Sequence, residues 1–166
     1  MKVTITILLL LFSLLVFAQT TQEKQLKNTW MEFTNYVEQE DWDNLLPMLA
    51  DTVRCPECGL NTTQEKKLAD ELRDNDFDKY ISLQYVPKAK FLFDDLPLVL
   101  TDAILENMQI EEQLFFTTNY TDTKEYYEVH VVVNETSEIS HDGYSRDFGF
   151  KLIDGKFLLV SCYTTP

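Results

Sequence analysis

The apolar residues in the first third of the chain recur at helical spacing. Between positions 20 and 53, intervals of three and four residues predict a helix, a polar break and a second short helix. The stripe of the first helix consists of Leu26, Trp30, Phe33 and Val37, and that of the second of Trp42, Leu45, Leu46 and Leu49. We interpret both stripes as core packing, with the lining of a ligand pocket as the alternative.

The middle of the chain, residues 54 to 110, predicts further helices. Thr62 and Glu65 have the spacing of a capping box, which opens a helix to about residue 73. Leu68 and Leu72 are expected to face inward on that helix, and the acidic residues 74 to 78 to form a loop. A helix after Pro97 is indicated by the spacing of Leu100, Ile104, Leu105 and Met108.

From residue 111 onward the apolar period changes to two, which predicts strands. One strand alternates through Leu114, Phe116 and Thr118, the next through Tyr127, Val129, Val131 and Val133, and a third through Phe148, Phe150 and Leu152. Asp154 and Gly155 form a two-residue hairpin signal. Across that turn Leu152 would face Phe157 and Phe150 would face Leu159, which brings both pairs to one face.

Helices that precede strands indicate an α+β fold. We expect N-terminal helices packed on a curved C-terminal antiparallel sheet, in a single domain that spans residues 19–166. A chain of this length buries enough surface for one core.

The N-terminus has the pattern of a cleavable secretion signal. Lys2 is followed by an apolar run from residue 3 to residue 17, and Ala18 supplies a small residue at the cleavage position. A membrane anchor is the alternative, but a spanning helix needs about 20 apolar residues and this run is shorter. We therefore predict a signal peptide over residues 1–18, cleaved after Ala18, and a secreted or periplasmic protein.

The formal net charge of the chain is −14 at pH 7. Such a charge repels phosphate backbones and anionic lipid surfaces, so nucleic-acid binding is not expected. Stable membrane insertion after cleavage is not expected either.

Two segments resemble the nuclear transport factor two-like superfamily, whose cone-shaped fold is shared with ketosteroid isomerase and polyketide cyclases. One runs from Trp30 to Phe33 and on through residues 40–53, as a helix, an acidic turn and a second helix. The other is the hairpin from Phe148 to Phe157. The resemblance implies a cone of helices on a curved sheet. The superfamily includes isomerases, dehydratases, cyclases and binding or assembly modules, so it implies no single function.

The three cysteines suggest at least one disulfide in an oxidising compartment. A local bridge between Cys55 and Cys58 is favoured, and Cys162 is the alternative partner of either. A redox role for this C-x-x-C turn lacks a preceding thioredoxin-like strand. A zinc site would need these cysteines with His130 or His141, and it lacks a second closely spaced pair.

Glu128 and His130 are the weak catalytic candidates. They share the strand face opposite to the apolar one and could perform acid–base work if that face lined the mouth of a cone. If it faces solvent, they are ordinary surface residues. The acidic run Asp74, Asp76 and Asp78 fails as a calcium loop, because Lys79 stands where glycine is needed.

No motif for a cofactor or a metal stands out, and whether the protein is an enzyme stays open. The leading hypothesis is an exported, non-enzymatic domain that binds a small apolar ligand or an envelope protein. One alternative is an isomerase-like or cyclase-like enzyme that uses acid–base residues in a cone-shaped pocket. Another is an assembly module that forms a homodimer.

Overall fold

The computed structural model describes residues 21–58, 60, 62–111, 114–121, 124–133 and 143–165. The predicted signal peptide, residues 1–18, lies outside the described residues, as does His141. Within the described ranges, no helix combines the length and the apolar character that crossing a membrane requires.

The first helix confirms its predicted stripe and ends at the predicted polar break, but the second helix ends earlier than expected. Helix α1 covers residues 21–38, and α2, Trp42–Leu45, continues as a 3₁₀ turn, Leu46–Met48. Asp41 caps α2 by accepting a hydrogen bond from the amide of Asn44 at 3.3 Å. Strand β1, Leu49–Arg54, follows at once, so the expectation of helix as far as residue 53 is wrong.

Two helices form where one helix and a loop were expected. The capping box of Thr62 and Glu65 is present and opens α3, Thr63–Asn75. Asp76 then accepts a hydrogen bond from the amide of Lys79 and caps α4, Phe77–Leu83, so the acidic run is a helix junction and not a loop. Leu68 is exposed, which contradicts its expected inward position.

The segment before the C-terminal strands combines a short strand with a distorted helix. Strand β2, Tyr85–Pro87, leads into α5, Lys88–Lys90, a π-helical turn, Phe91–Asp95, and α6, Leu96–Val99. Asp95 is fully buried and accepts hydrogen bonds from Lys90 Nζ at 2.9 Å. The predicted helix after Pro97 is present as α7, Asp102–Asn107.

Six strands form one mixed sheet in the order β2-β1-β6-β5-β4-β3. The last four are β3, Leu114–Thr121; β4, Lys124–Val133; β5, Tyr144–Ile153; and β6, Lys156–Thr165. β1 runs parallel to β6, and every other pair is antiparallel. The α+β class is therefore confirmed, whereas the expectation of a purely antiparallel, C-terminal sheet is wrong. The cone shape stays a prediction.

The hairpin register agrees with the prediction. Leu152 pairs with Phe157 and Phe150 pairs with Leu159, with Asp154 and Gly155 both at positive φ in the turn. Phe150, Phe157 and Leu159 are buried on the face that meets the helices.

Four aromatic rings attach α1 to the centre of the sheet. The Trp30 ring lies 5.6 Å from Phe33 and 5.1 Å from Phe148 between centroids, and Phe33 lies 6.1 Å from Phe150. Each pair lies in the range in which ring contacts add to the free energy of burial. The space between α1 and β5 is thus filled by side chains.

We expect Phe148→Ala to lower the free energy of unfolding by about 3–5 kcal/mol, because Phe148 is fully buried among these rings. Urea unfolding would measure the loss. Phe77→Ala is the matched control, since Phe77 is 61% exposed and should change stability by no more than about 0.5 kcal/mol. Equal losses in the two variants would contradict this account of the core.

Candidate functional site

A group of polar residues on β4, β5 and β6 lies on the sheet face that points away from α1. Strand alternation directs Val129 and Phe148 toward α1 and their neighbours to the opposite side. The register then sets His130 beside Asp147 and sets Asp147 beside Tyr163. We call this side of the sheet the polar face.

His130 is held through both ring nitrogens. Its Nδ1 lies 2.9 Å from Oδ1 of Asp147, and its Nε2 lies 2.8 Å from Oγ1 of Thr117 on β3. An ionised carboxylate only accepts hydrogen bonds, so Nδ1 must carry the proton that Asp147 accepts. In the neutral imidazole, Nε2 is then the acceptor and Thr117 is the donor.

Asp147 is itself surrounded by donors. The hydroxyl of Ser145 donates to Oδ1 at 2.6 Å, and the hydroxyl of Thr165 donates to Oδ2. Only 2% of Asp147 is exposed, so these hydrogen bonds replace the water that the carboxylate loses.

A second buried carboxylate lies beside this pair. Glu128 is 2% exposed and accepts a short hydrogen bond from the hydroxyl of Tyr163. Its Oε2 lies 3.9 Å from Nε2 of His130. We call these five residues, Thr117, Glu128, His130, Asp147 and Tyr163, the His130 cluster.

The pKa values follow from this arrangement. The hydrogen bond to Asp147 raises the pKa of His130 above 6.5, although burial of the ring acts to lower it. The negative charges of Asp147 and Glu128 raise the pKa further. Burial acts to raise the pKa of Asp147, but hydrogen bonds from His130, Ser145 and Thr165 outweigh it and lower that pKa below 3.8. Burial, then the contact with Glu128, raises the pKa of Tyr163.

The structure brings the two sequence candidates, Glu128 and His130, together on the polar face. Glu128 and His130 face away from the helices, outside the layer that α1 shares with the sheet. They are also not ordinary surface residues, since Glu128 is buried and His130 is held on both sides. Thr117, Asp147 and Tyr163 were missed, because their contacts depend on the pairing register between strands, which alternation within one strand does not give.

The C-x-x-C turn contains the predicted local disulfide between Cys55 and Cys58. Cys162 is a free, buried thiol, and burial raises its pKa to about 12. A thiol with so high a pKa stays protonated and is a poor nucleophile. Glu57, inside the turn, accepts a hydrogen bond from the amide of Thr164 at 2.7 Å, which attaches the turn to β6.

Metal ligation finds no support in the described part of the chain. No group of three histidine, cysteine, aspartate or glutamate side chains there is arranged to hold an ion. Cys55 and Cys58, which a zinc site would need as thiolates, are joined to each other.

A second feature is an apolar hollow of about 620 Å³ between α1 and the segment that leads into β3. We call it the α1 groove and define it by Lys27, Trp30, Met31, Met108, Leu114 and Phe116. Trp30 is buried at its base and donates from Nε1 to the carbonyl of Met108 at 3.3 Å. Met31 is 66% exposed and lies in the lining of this hollow.

The α1 groove continues into a second hollow with acidic walls. The two share Thr34, Met108 and Gln109, and the second, of about 590 Å³, adds Glu38, Glu40 and Glu106. Glu32 and Glu111 lie on the wall of the groove itself. The cation of this groove, Lys27, is engaged with Glu23 at 3.2 Å and lies over the ring of Phe116.

Strand β3 separates the two features. Phe116 points into the groove while Thr117 points to the polar face, so one strand contributes consecutive residues to both.

Comparison with protein-family models, with curated proteins and with solved structures found no match to this chain.

The pair of His130 and Asp147 gives stability a defined pH dependence. Because the folded pKa of His130 is raised, its contribution is fully present below 6.5 and is lost as pH rises through the folded value. Because the folded pKa of Asp147 is lowered, its contribution is present above 3.8 and is lost as pH falls through the folded value. The pair should stabilise the fold most between 3.8 and 6.5.

Urea unfolding of the wild type and of His130→Gln across this range measures the effect. We expect the difference in unfolding free energy to be largest inside the window and to shrink as pH rises above it. A difference that stays constant on both sides of the window would show that the charge on His130 contributes nothing.

Proposed function

We propose that the protein is a binding domain that holds a small apolar molecule bearing a positive charge in the α1 groove. The observation that carries the proposal is the hollow of about 620 Å³, whose lining combines the exposed Met31 with Trp30 and Phe116. Apolar surface that a fold leaves in a concave, polar-rimmed site is typical of ligand binding.

The size of the groove suits a small ligand. Its volume of about 620 Å³ lies within the range of small-molecule sites, about 300–1,000 Å³. The lining offers Met31 and Met108, whose unbranched, polarisable side chains adapt to different apolar shapes. Phe116 and Trp30 supply aromatic surface beside them.

The charge of the ligand follows from the rim. Glu32 and Glu111 line the groove, and Glu38, Glu40 and Glu106 line the hollow that continues it. These side chains are exposed, whereas Lys27 is already engaged with Glu23. An anionic head group would meet repulsion there, and a cationic one would be attracted.

The proposed setting is a secreted or periplasmic one, and the proposed ancestry is the nuclear transport factor two-like superfamily. The Cys55–Cys58 disulfide supports the setting, because such bonds persist in oxidising compartments. The order of helices and strands supports the ancestry.

Three amphiphiles with the same dodecyl tail provide the test: dodecyltrimethylammonium, dodecyl maltoside and dodecyl sulfate, each below its micelle concentration. A Trp42→Phe background leaves Trp30 as the sole tryptophan, so its fluorescence reports on the groove. We expect affinity to fall from the cationic to the neutral to the anionic compound. Equal affinity for all three, or no response of Trp30, would overturn the proposal.

Met31→Gln should weaken binding of the cationic compound at least about tenfold, because it removes apolar contact from the groove without changing its charge. Leu98→Gln is the matched control, since Leu98 is 63% exposed, and it should leave the affinity unchanged. Glu32→Gln combined with Glu111→Gln should reduce the preference for the cation while keeping affinity for the maltoside. Calorimetric titration would measure all three variants.

A further inference from the structure

The His130 cluster contains the three parts of a hydroxyl nucleophile system. Thr117 supplies an exposed hydroxyl, His130 lies within hydrogen-bond distance of that oxygen at 2.8 Å, and Asp147 orients the ring from the other nitrogen at 2.9 Å. Such systems are recognised by geometry and not by chain order. The binding proposal uses none of these residues.

We infer that Thr117 is an acyl acceptor, activated by His130 and Asp147, and that its substrates are small activated esters. The exposed position of Thr117 on β3 leaves its hydroxyl accessible to a small acyl donor. Threonine and serine hydroxyls are weak nucleophiles unless an adjacent base removes the proton.

The reaction moves one proton between Thr117, His130 and the leaving group. Oγ1 of Thr117 bonds to the acyl carbon while its proton moves to Nε2 of His130. The bond between the acyl carbon and the leaving oxygen breaks, and His130 returns the proton to that oxygen. Water then hydrolyses the threonyl ester by the same route, with His130 again as the base.

Other members of the cluster favour the charged state of His130 that the step creates. Asp147 remains ionised and stabilises the imidazolium through Nδ1. Glu128 lies 3.9 Å from Nε2, and Tyr163 donates a hydrogen bond to it. Among the described residues, the charged groups that act on the pKa of His130 are the carboxylates of Asp147 and Glu128, and both favour the imidazolium.

The test treats the folded protein with p-nitrophenyl acetate and measures both release of p-nitrophenol and acetylation of the tryptic peptide that contains Thr117. We expect one acetyl group on Thr117 in samples that are quenched with acid before the ester hydrolyses. Thr117→Val, which keeps the shape but removes the hydroxyl, should abolish this label. Thr117→Ser should be labelled at least as fast, because its hydroxyl is less hindered.

His130→Gln should slow labelling at Thr117 by about 100-fold or more, the usual contribution of a general base. The wild-type rate should rise with pH as His130 loses its proton, with a midpoint above 6.5, and Asp147→Asn should move that midpoint down. Circular dichroism confirms that each variant is folded.

Two results would overturn the inference. The first is a wild-type protein in which Thr117 stays unmodified while surface lysines are acetylated. The second is labelling of Thr117 at the same rate in folded His130→Gln. Neither result would bear on the α1 groove, because binding there is read from Trp30.

Discussion

The pairing register of β5 with its two neighbours determines both faces of the sheet. Phe148 and Phe150 meet Trp30 and Phe33 on the helix side, and Asp147 between the same strands meets His130 on the other. Side chains alternate along a strand, so a slip of one residue would exchange the faces and bury Asp147 among the aromatic rings. The core and the His130 cluster are therefore specified by the same hydrogen-bond ladder.

One contact on the polar face also depends on this register. Gly149 pairs with Ser161 at the point where β5 and β6 shift register. A β-carbon at position 149 would approach Oγ of Ser161 to 2.1 Å, which no packed structure tolerates without movement. The absent side chain thus leaves room for the hydroxyl of Ser161 over β5.

Sequence patterns predicted those parts of the fold that depend on interactions between residues close together in the chain. The Asp154–Gly155 turn fixes its own register, and the capping box of Thr62 needs only Glu65, so both were found. Strand β1 was missed because Leu45, Leu49 and Val53 keep the spacing of a helix stripe. This segment forms a strand because it pairs with β6, more than 100 residues later in the chain. The spacing of apolar residues within the segment cannot indicate that pairing.

The site was only half predictable for the same reason. Glu128 and His130 were visible as neighbours on one strand face, since that follows from alternation. Asp147 could have been assigned to a polar face from its position next to Phe148, but its approach to His130 depends on the register between β4 and β5. Predicting the contact between Thr117 and His130 also requires the register between β3 and β4.

The energetics of the His130 cluster bear on why such a group of residues is present. Burying two carboxylates is costly, and apolar side chains of similar volume often give equal or greater stability. Hydrogen bonds from Ser145, Thr165 and His130 offset part of that cost for Asp147. A hydrogen bond from Tyr163 offsets part of it for Glu128. The imidazolium can offset only one of the two negative charges. A β-sheet face needs none of this to be stable, so the energetic cost of the cluster is consistent with the reaction that we infer at Thr117.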